Sequence, residues 1–220
     1  MKKEFGYDDG KKVVLSRHVP EGIIFTKSLD IGEDIIRGML HFKEVQFKGS
    51  VSFLRGLVWG EMMIRNSIAE GEFSLHQAIV CGQLFCDNSE FHRNVDLRGA
   101  AFVRGRVHFE GISFRDGIVL SEIAADSITL KKCNLRLRRF QEEPTVLSLS
   151  RIFVRKGLSL EGSVFQDVDI IDLRRATVLG ALDLRIKSEK PIDILVSSRS
   201  MAEKAHYAAP NWPVVLKQDD

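Results

Sequence analysis

Residues 70–91 read EGEFSLHQAIV and then CGQLFCDNSEF, two blocks of eleven with one design: Gly71 and Gly82, Phe73 and Leu84, Leu75 and Cys86, Ala78 and Ser89, Val80 and Phe91 fall in matching places. Working outward at period eleven, Gly38, Gly49, Gly60, Gly71 and Gly82 form one column. Two places on stand Leu29, Leu40, Val51, Met62, Phe73, Leu84 and Val95, and two further on Ile31, Phe42, Phe53, Ile64, Leu75, Cys86 and Leu97. All fourteen are apolar, where a 44% hydrophobic composition gives about six by chance. A small column (Gly56, Ser67, Ala78, Ser89, Ala100) and a third apolar one (Phe47, Val58, Ala69, Val80, Phe91, Phe102) complete the unit. The pattern continues with slips of one or two residues through Leu182/Leu184, and Leu135–Thr145 is the one degenerate stretch, read as a protruding loop.

A fixed period of this size is the mark of a solenoid. Apolar-x-apolar inside each unit is a short strand with one face buried, because successive strand side chains point to opposite sides. Glycine before the strand fits a corner needing positive φ, and the small residue beyond it fits a corner where backbone nears backbone. Eleven extended residues span at most roughly 36 Å, too tight a perimeter for two facing sheets about 10 Å apart. Two units per coil, about 22 residues, are therefore expected, giving seven or eight coils stacked at about 4.8 Å. Parallel crossovers favour a right-handed winding. The fold expected is all-β: a right-handed parallel β-helix over 23–197, an N-terminal segment or cap over 1–22, and a cap or tail over 198–220. In that tail RSMAEKAHYAA reads as a short helix before Pro210 and Pro213.

These units resemble the pentapeptide-repeat proteins, most closely in AAFVRGRVHF (100–109) and ATVLGALDLR (176–185). The resemblance implies coils of about twenty residues lined by small and Leu/Phe side chains. The spacing here is mostly eleven, which leaves the section open between a square and an oval. Some members of that family imitate DNA and bind type II topoisomerases through an acidic rod; others are adaptors or effectors with no assigned chemistry. A formal net charge of +2 argues against the acidic kind. The charge is uneven: residues 60–129 hold ten Asp/Glu against six Arg, a balance of −4, and residues 130–188 hold twelve Lys/Arg against seven Asp/Glu, a balance of +5.

No apolar run is long enough for a membrane span and no leader is visible, so a cytoplasmic protein is expected. Three cysteines (Cys81, Cys86, Cys133) make neither a disulfide framework nor a paired zinc motif. No catalytic, cofactor or metal residues are expected. His41 and His108 share an outer face three coils apart, too far to share an ion. Asp87, Glu90, Asp96, Asp116 and Asp126 suit a solvated acidic face better than a polysaccharide-cleaving pair.

The outward columns are more telling. One carries His41, Met63, Phe85, His108 and Thr129, beside a corner column of Trp59, Cys81 and Val103. Trp59, Met63 and Phe85 are the candidate apolar contact surface. The basic residues Lys131, Lys132, Arg136, Arg138, Arg139, Arg151, Arg155 and Lys156 surround the degenerate loop, with Arg136, Arg138 and Arg139 as the second candidate contact. The function expected is a non-enzymatic scaffold for protein–protein contact or self-association. Nucleic-acid or topoisomerase binding and a polysaccharide-acting β-helix enzyme are the alternatives.

Overall fold

A computed structural model describes residues 21–137 and 143–197, with the backbone of strands Glu4–Phe5, Met201–His206 and Leu216–Asp219. Among these residues there is no helix; short parallel strands stack into about eight coils. The register confirms two units per coil. Phe73 pairs with Val51 on one side and Val95 on the other, two eleven-residue units away in each direction. Backbone N–H groups donate to carbonyls of the neighbouring coils, forward from Leu29 to Ser50 (2.8 Å) and backward from Leu57 to Asp34 (2.9 Å).

Each coil has four faces. In the second complete coil they begin at Gln46–Phe47, Val51–Ser52, Leu57–Val58 and Met62–Arg65, so a face takes five or six residues and the eleven-residue unit is two faces. Most faces send two residues inward, such as Leu40 and Phe42 or Val51 and Phe53, each no more than 1% exposed. The resulting core runs unbroken along the rod, with Phe42 edge-on to Phe47 (5.2 Å) and Phe91 stacked on Phe114 (5.7 Å). The faces are called first to fourth below, in the order just given.

The two corner columns exchange the roles expected of them. Of the column Gly38, Gly49, Gly60, Gly71 and Gly82, only Gly38 has a positive φ. Its members are glycine because consecutive coils touch there: a Cβ on Gly60 would stand 2.5 Å from the Gly38 oxygen, and one on Gly71 2.5 Å from the Gly49 carbonyl. The left-handed conformation falls just before the small column, at Glu33, Glu44, Arg55, Asn66, Gln77, Asn88 and Gly99, with φ between 45° and 68°. There Phe53 accepts from the Gly56 N–H at 2.9 Å, closing a turn that needs a left-handed third residue.

On the opposite corner the small residue supplies the closure itself. Ser67 Oγ accepts from the Val45 N–H of the preceding coil (3.1 Å) and donates to the Arg65 carbonyl (2.7 Å); Ser89 does the same one coil on, and Ser163 accepts from the Cys133 N–H. These buried serines are therefore satisfied, as buried polar groups must be.

Register partners Asn134 and Val164 are separated by more chain than two units supply, so this coil carries its extra length where the degenerate loop was expected. Of the two readings of the C-terminal segment, the helix does not form over Met201–His206. That stretch is a strand in parallel register with Thr177–Asp183, because pairing with the coil before it satisfies its backbone and overrides local propensity.

Candidate functional site

The fourth face brings His41, Met63, Phe85, His108 and Thr129 into one outward ladder, each in register with the next. Met63 and Phe85 are half-buried rather than open. The His108 ring stacks on Phe85 at 4.7 Å and 14°, and the Arg65 guanidinium sits 5.2 Å from the Phe85 ring centre on its other flank. Trp59 stands apart at the corner between the third and fourth faces, 58% exposed, with Cys81 and then Val103 (50% exposed) in the coils beyond it.

The column that sequence reading missed is on the third face. Its outward residues are Ile35, Leu57, Ile79, Ala101, Ala124, Phe153 and Thr177, in unbroken register. Ile35 is 61% exposed, Ile79 45% and Phe153 44%. Folding the sequence at period eleven hides this ladder, because Leu57, Ile79 and Ala101 alternate with Gln46, Ile68 and Glu90 of the first face. Doubling the period separates them, and that was the available signal. Together the third face, the Trp59 corner and the Met63/Phe85 ladder form an apolar surface on two adjacent sides of the rod.

The corner between the fourth and first faces carries a charge ladder. Arg65 meets Asp87 at 3.2 Å, Lys131 meets Glu110 at 3.5 Å and Arg185 meets Glu161 at 3.0 Å, all along the corner between the fourth and first faces. Lys131 beside Glu110 holds that carboxyl below its usual range against the opposing effect of desolvation, with His108 adding to the effect.

The basic residues do not converge. Arg136 ends a first-face strand 3.6 Å from Asp167, Arg151 pairs with Glu122 (3.0 Å) on another corner, and Arg155 and Lys156 both reach Asp126 at the corner of the third and fourth faces. Each of these four cations already faces a carboxylate. Arg138 and Arg139 lie outside the described residues.

His41 and His108 are three rungs apart, as the register requires. Cys86 and Cys133 are buried; burial pushes the Cys86 thiol well above its usual range and Cys133 to about 11, so both behave as small apolar fillers. One cleft of about 460 Å³ opens beside the long coil, lined by Glu72, Asn94, Asp116 and Glu143 among apolar residues that include Leu137 and Val146.

Coil count, parallel register and four-sided lining define the chain as a parallel β-solenoid repeat protein. Comparison with family models, curated proteins and solved structures finds no match for it. Among the described residues no helix is long and apolar enough to cross a membrane.

Proposed function

We propose that this solenoid is a non-enzymatic scaffold that binds another protein through the apolar surface around Trp59, Met63 and Phe85. The observation that carries the reading is the contrast between the fourth-face ladder with its Trp59 corner and the charge ladders of the neighbouring corner. A tryptophan at 58% exposure beside half-buried Met63 and Phe85 is the composition of a contact hot spot. The four-faced coil with paired inward residues agrees with a pentapeptide-repeat kind of solenoid, here with two eleven-residue units per coil. Adaptor-type members of that family set the precedent for the reading.

The test is photocrosslinking in the native host from position 59 or 63, with position 52 on the second face as control. A discrete partner captured from 59 and 63, absent from 52 and lost in Met63→Lys,Phe85→Lys, supports the scaffold. Identical capture from all three positions removes it. The cleft of Glu72, Asp116 and Glu143 favours a second reading, a polysaccharide-cleaving β-helix. Release of reducing ends that stops in Asp116→Asn would replace the scaffold with that enzyme. The pairing of Arg136, Arg151, Arg155 and Lys156 with carboxylates weighs against nucleic acid, and Arg136→Ala is expected to leave any salt-sensitive retention on DNA unchanged.

A further inference from the structure

The corner between the second and third faces holds a pocket of about 370 Å³, within the size range of small-molecule sites. Its lining is polar throughout: Ser150, Arg151, Arg174, Arg175 and Ser197, with the carboxylates of Glu122 and Asp172. Those carboxylates do not neutralise it evenly. Asp172, 6% exposed, is engaged by Arg174, accepting from its backbone N–H (3.0 Å), its Nε (2.9 Å) and its Nη2 (2.9 Å). That fork fixes the Arg174 side chain beside the pocket. Glu122 meets Arg151 through one oxygen and one nitrogen, at 3.0 Å. Among the described residues Arg175 has no carboxylate partner.

Nearer the N-terminus the same column is balanced, with Arg55 standing between Glu33 (3.8 Å) and the side-chain oxygen of Gln77 (3.1 Å). Here two arginines, Arg151 and Arg175, follow one another at left-handed corner positions (φ 55° and 59°) on rungs about 4.8 Å apart. Like charges that close repel, and an anion between them removes the repulsion.

The donors define that anion. One arginine fork matches one planar carboxylate, as Arg174 and Asp172 show. Guanidiniums on successive rungs, with the hydroxyls of Ser150 and Ser197 beside them, suit an ion whose oxygens point in several directions. A phosphoryl group has three such oxygens and about −1.5 to −2 charge at pH 7. The cations do not run on as a row, since the preceding positions of the column are Gln77, Gly99 and Glu122. An isolated phosphate therefore fits, and a polynucleotide backbone, which needs cations in succession, does not. We propose that this pocket binds a phosphate group, free or carried by a small molecule, between Arg151 and Arg175, with Arg174 held in place by Asp172.

The pocket lies on a different corner from Trp59 and stands independently of the scaffold reading. Nitrogen–proton NMR spectra of the full chain at neutral pH, including the arginine Nε–H signals, test it by titration with sodium phosphate against sodium chloride of equal ionic strength. Saturable shifts are expected at Arg151, Arg175 and the Ser150 and Ser197 amides, with a dissociation constant of about 1 mM because the site is open to water. Arg175→Gln should weaken binding about tenfold or more. That variant keeps the fold, because Gln77 already holds the same left-handed position at φ 56°. Arg175→Lys, which keeps the charge without the fork, should fall between the two. Arg55→Gln, five rungs or about 24 Å away along the column, should bind as the wild type does. Glucose 6-phosphate binding more tightly than phosphate assigns the site to an ester, and the reverse order assigns it to the free ion. Equal shifts with chloride or acetate, undiminished binding in Arg175→Gln, or a short DNA strand that binds more tightly per phosphate than the free ion overturns the proposal.

Discussion

Replacing Gly71 by alanine should cost more than replacing an ordinary surface glycine, and the coil contact says by how much. The added Cβ would stand 2.5 Å from the Gly49 carbonyl and the Ser50 nitrogen, backbone atoms of the coil before it, where ordinary contact begins at 3.4 Å. Relief requires the coils to part locally by about 0.9 Å, the difference between those two values. The adjacent inter-coil hydrogen bond from the Val51 N–H to the Glu72 carbonyl, 2.7 Å long, would stretch past the range of a useful bond. A lost buried bond costs about 1–3 kcal/mol and overpacking about 1–3 kcal/mol. The stiffer unfolded chain of alanine returns about 0.4–1 kcal/mol. A net loss of about 1–6 kcal/mol is expected from these terms. Arg55→Gly is the contrast, because φ is +55° there. Release of left-handed strain, about 1–2 kcal/mol, offsets the added freedom of the unfolded glycine, so its effect should lie between neutral and mildly stabilising. Urea denaturation followed by circular dichroism measures both. Gly71→Ala as stable as the wild type, or Arg55→Gly the more damaging of the two, would refute the assignment of the glycine column to coil contact.

Ser67→Ala should destabilise by about 1–3 kcal/mol, because it strips the Val45 N–H of its buried acceptor, and Ser67→Cys should recover part of that loss. Acid stability should depend on Asp169. Burial opposes its ionisation, but the Lys190 ammonium and the Thr145 amide and hydroxyl (both 2.9 Å) outweigh that and hold the carboxyl at about 2 against an ordinary 3.8. Its folded pKa is depressed, so its contribution is whole above pH 3.8 and lost as pH falls towards 2. Asp169→Asn should be less stable than the wild type at pH 7 and show a shallower decline across that window; a parallel decline in the two proteins would remove Asp169 from the account.

The core was legible because burial repeats the same demand on every coil: Leu40, Val51, Met62 and Phe73 all occupy inward strand positions and are at most 1% exposed. The division of eleven into two faces was not, since a corner leaves no mark when Glu33, Arg55 or Gln77 takes the left-handed conformation instead of glycine. Nor does composition distinguish a glycine that turns from one that makes room, and Gly60 and Gly71 proved to be of the second kind. The Met63/Phe85 ladder was readable from alternation alone. Its cover was not, because Arg65 and His108 reach Phe85 through side-chain geometry. The third-face ladder needed the coil length first: Leu57 and Ile79 become neighbours only once two units are counted to a coil.

Coil length is also the claim on which everything else rests, and one pair of cysteines addresses it. Ser52 and Ser74 are register partners on the second face, while Met63, midway between them in sequence, is outward on the fourth face. In a Cys81→Ser background, Ser52→Cys,Ser74→Cys should close an intramolecular disulfide on mild oxidation, adjacent parallel rungs lying at about 4.8 Å, within bridging range. Ser52→Cys,Met63→Cys should remain reduced. Closure of the second pair, or failure of the first in a folded protein, would contradict the four-faced coil of two eleven-residue units.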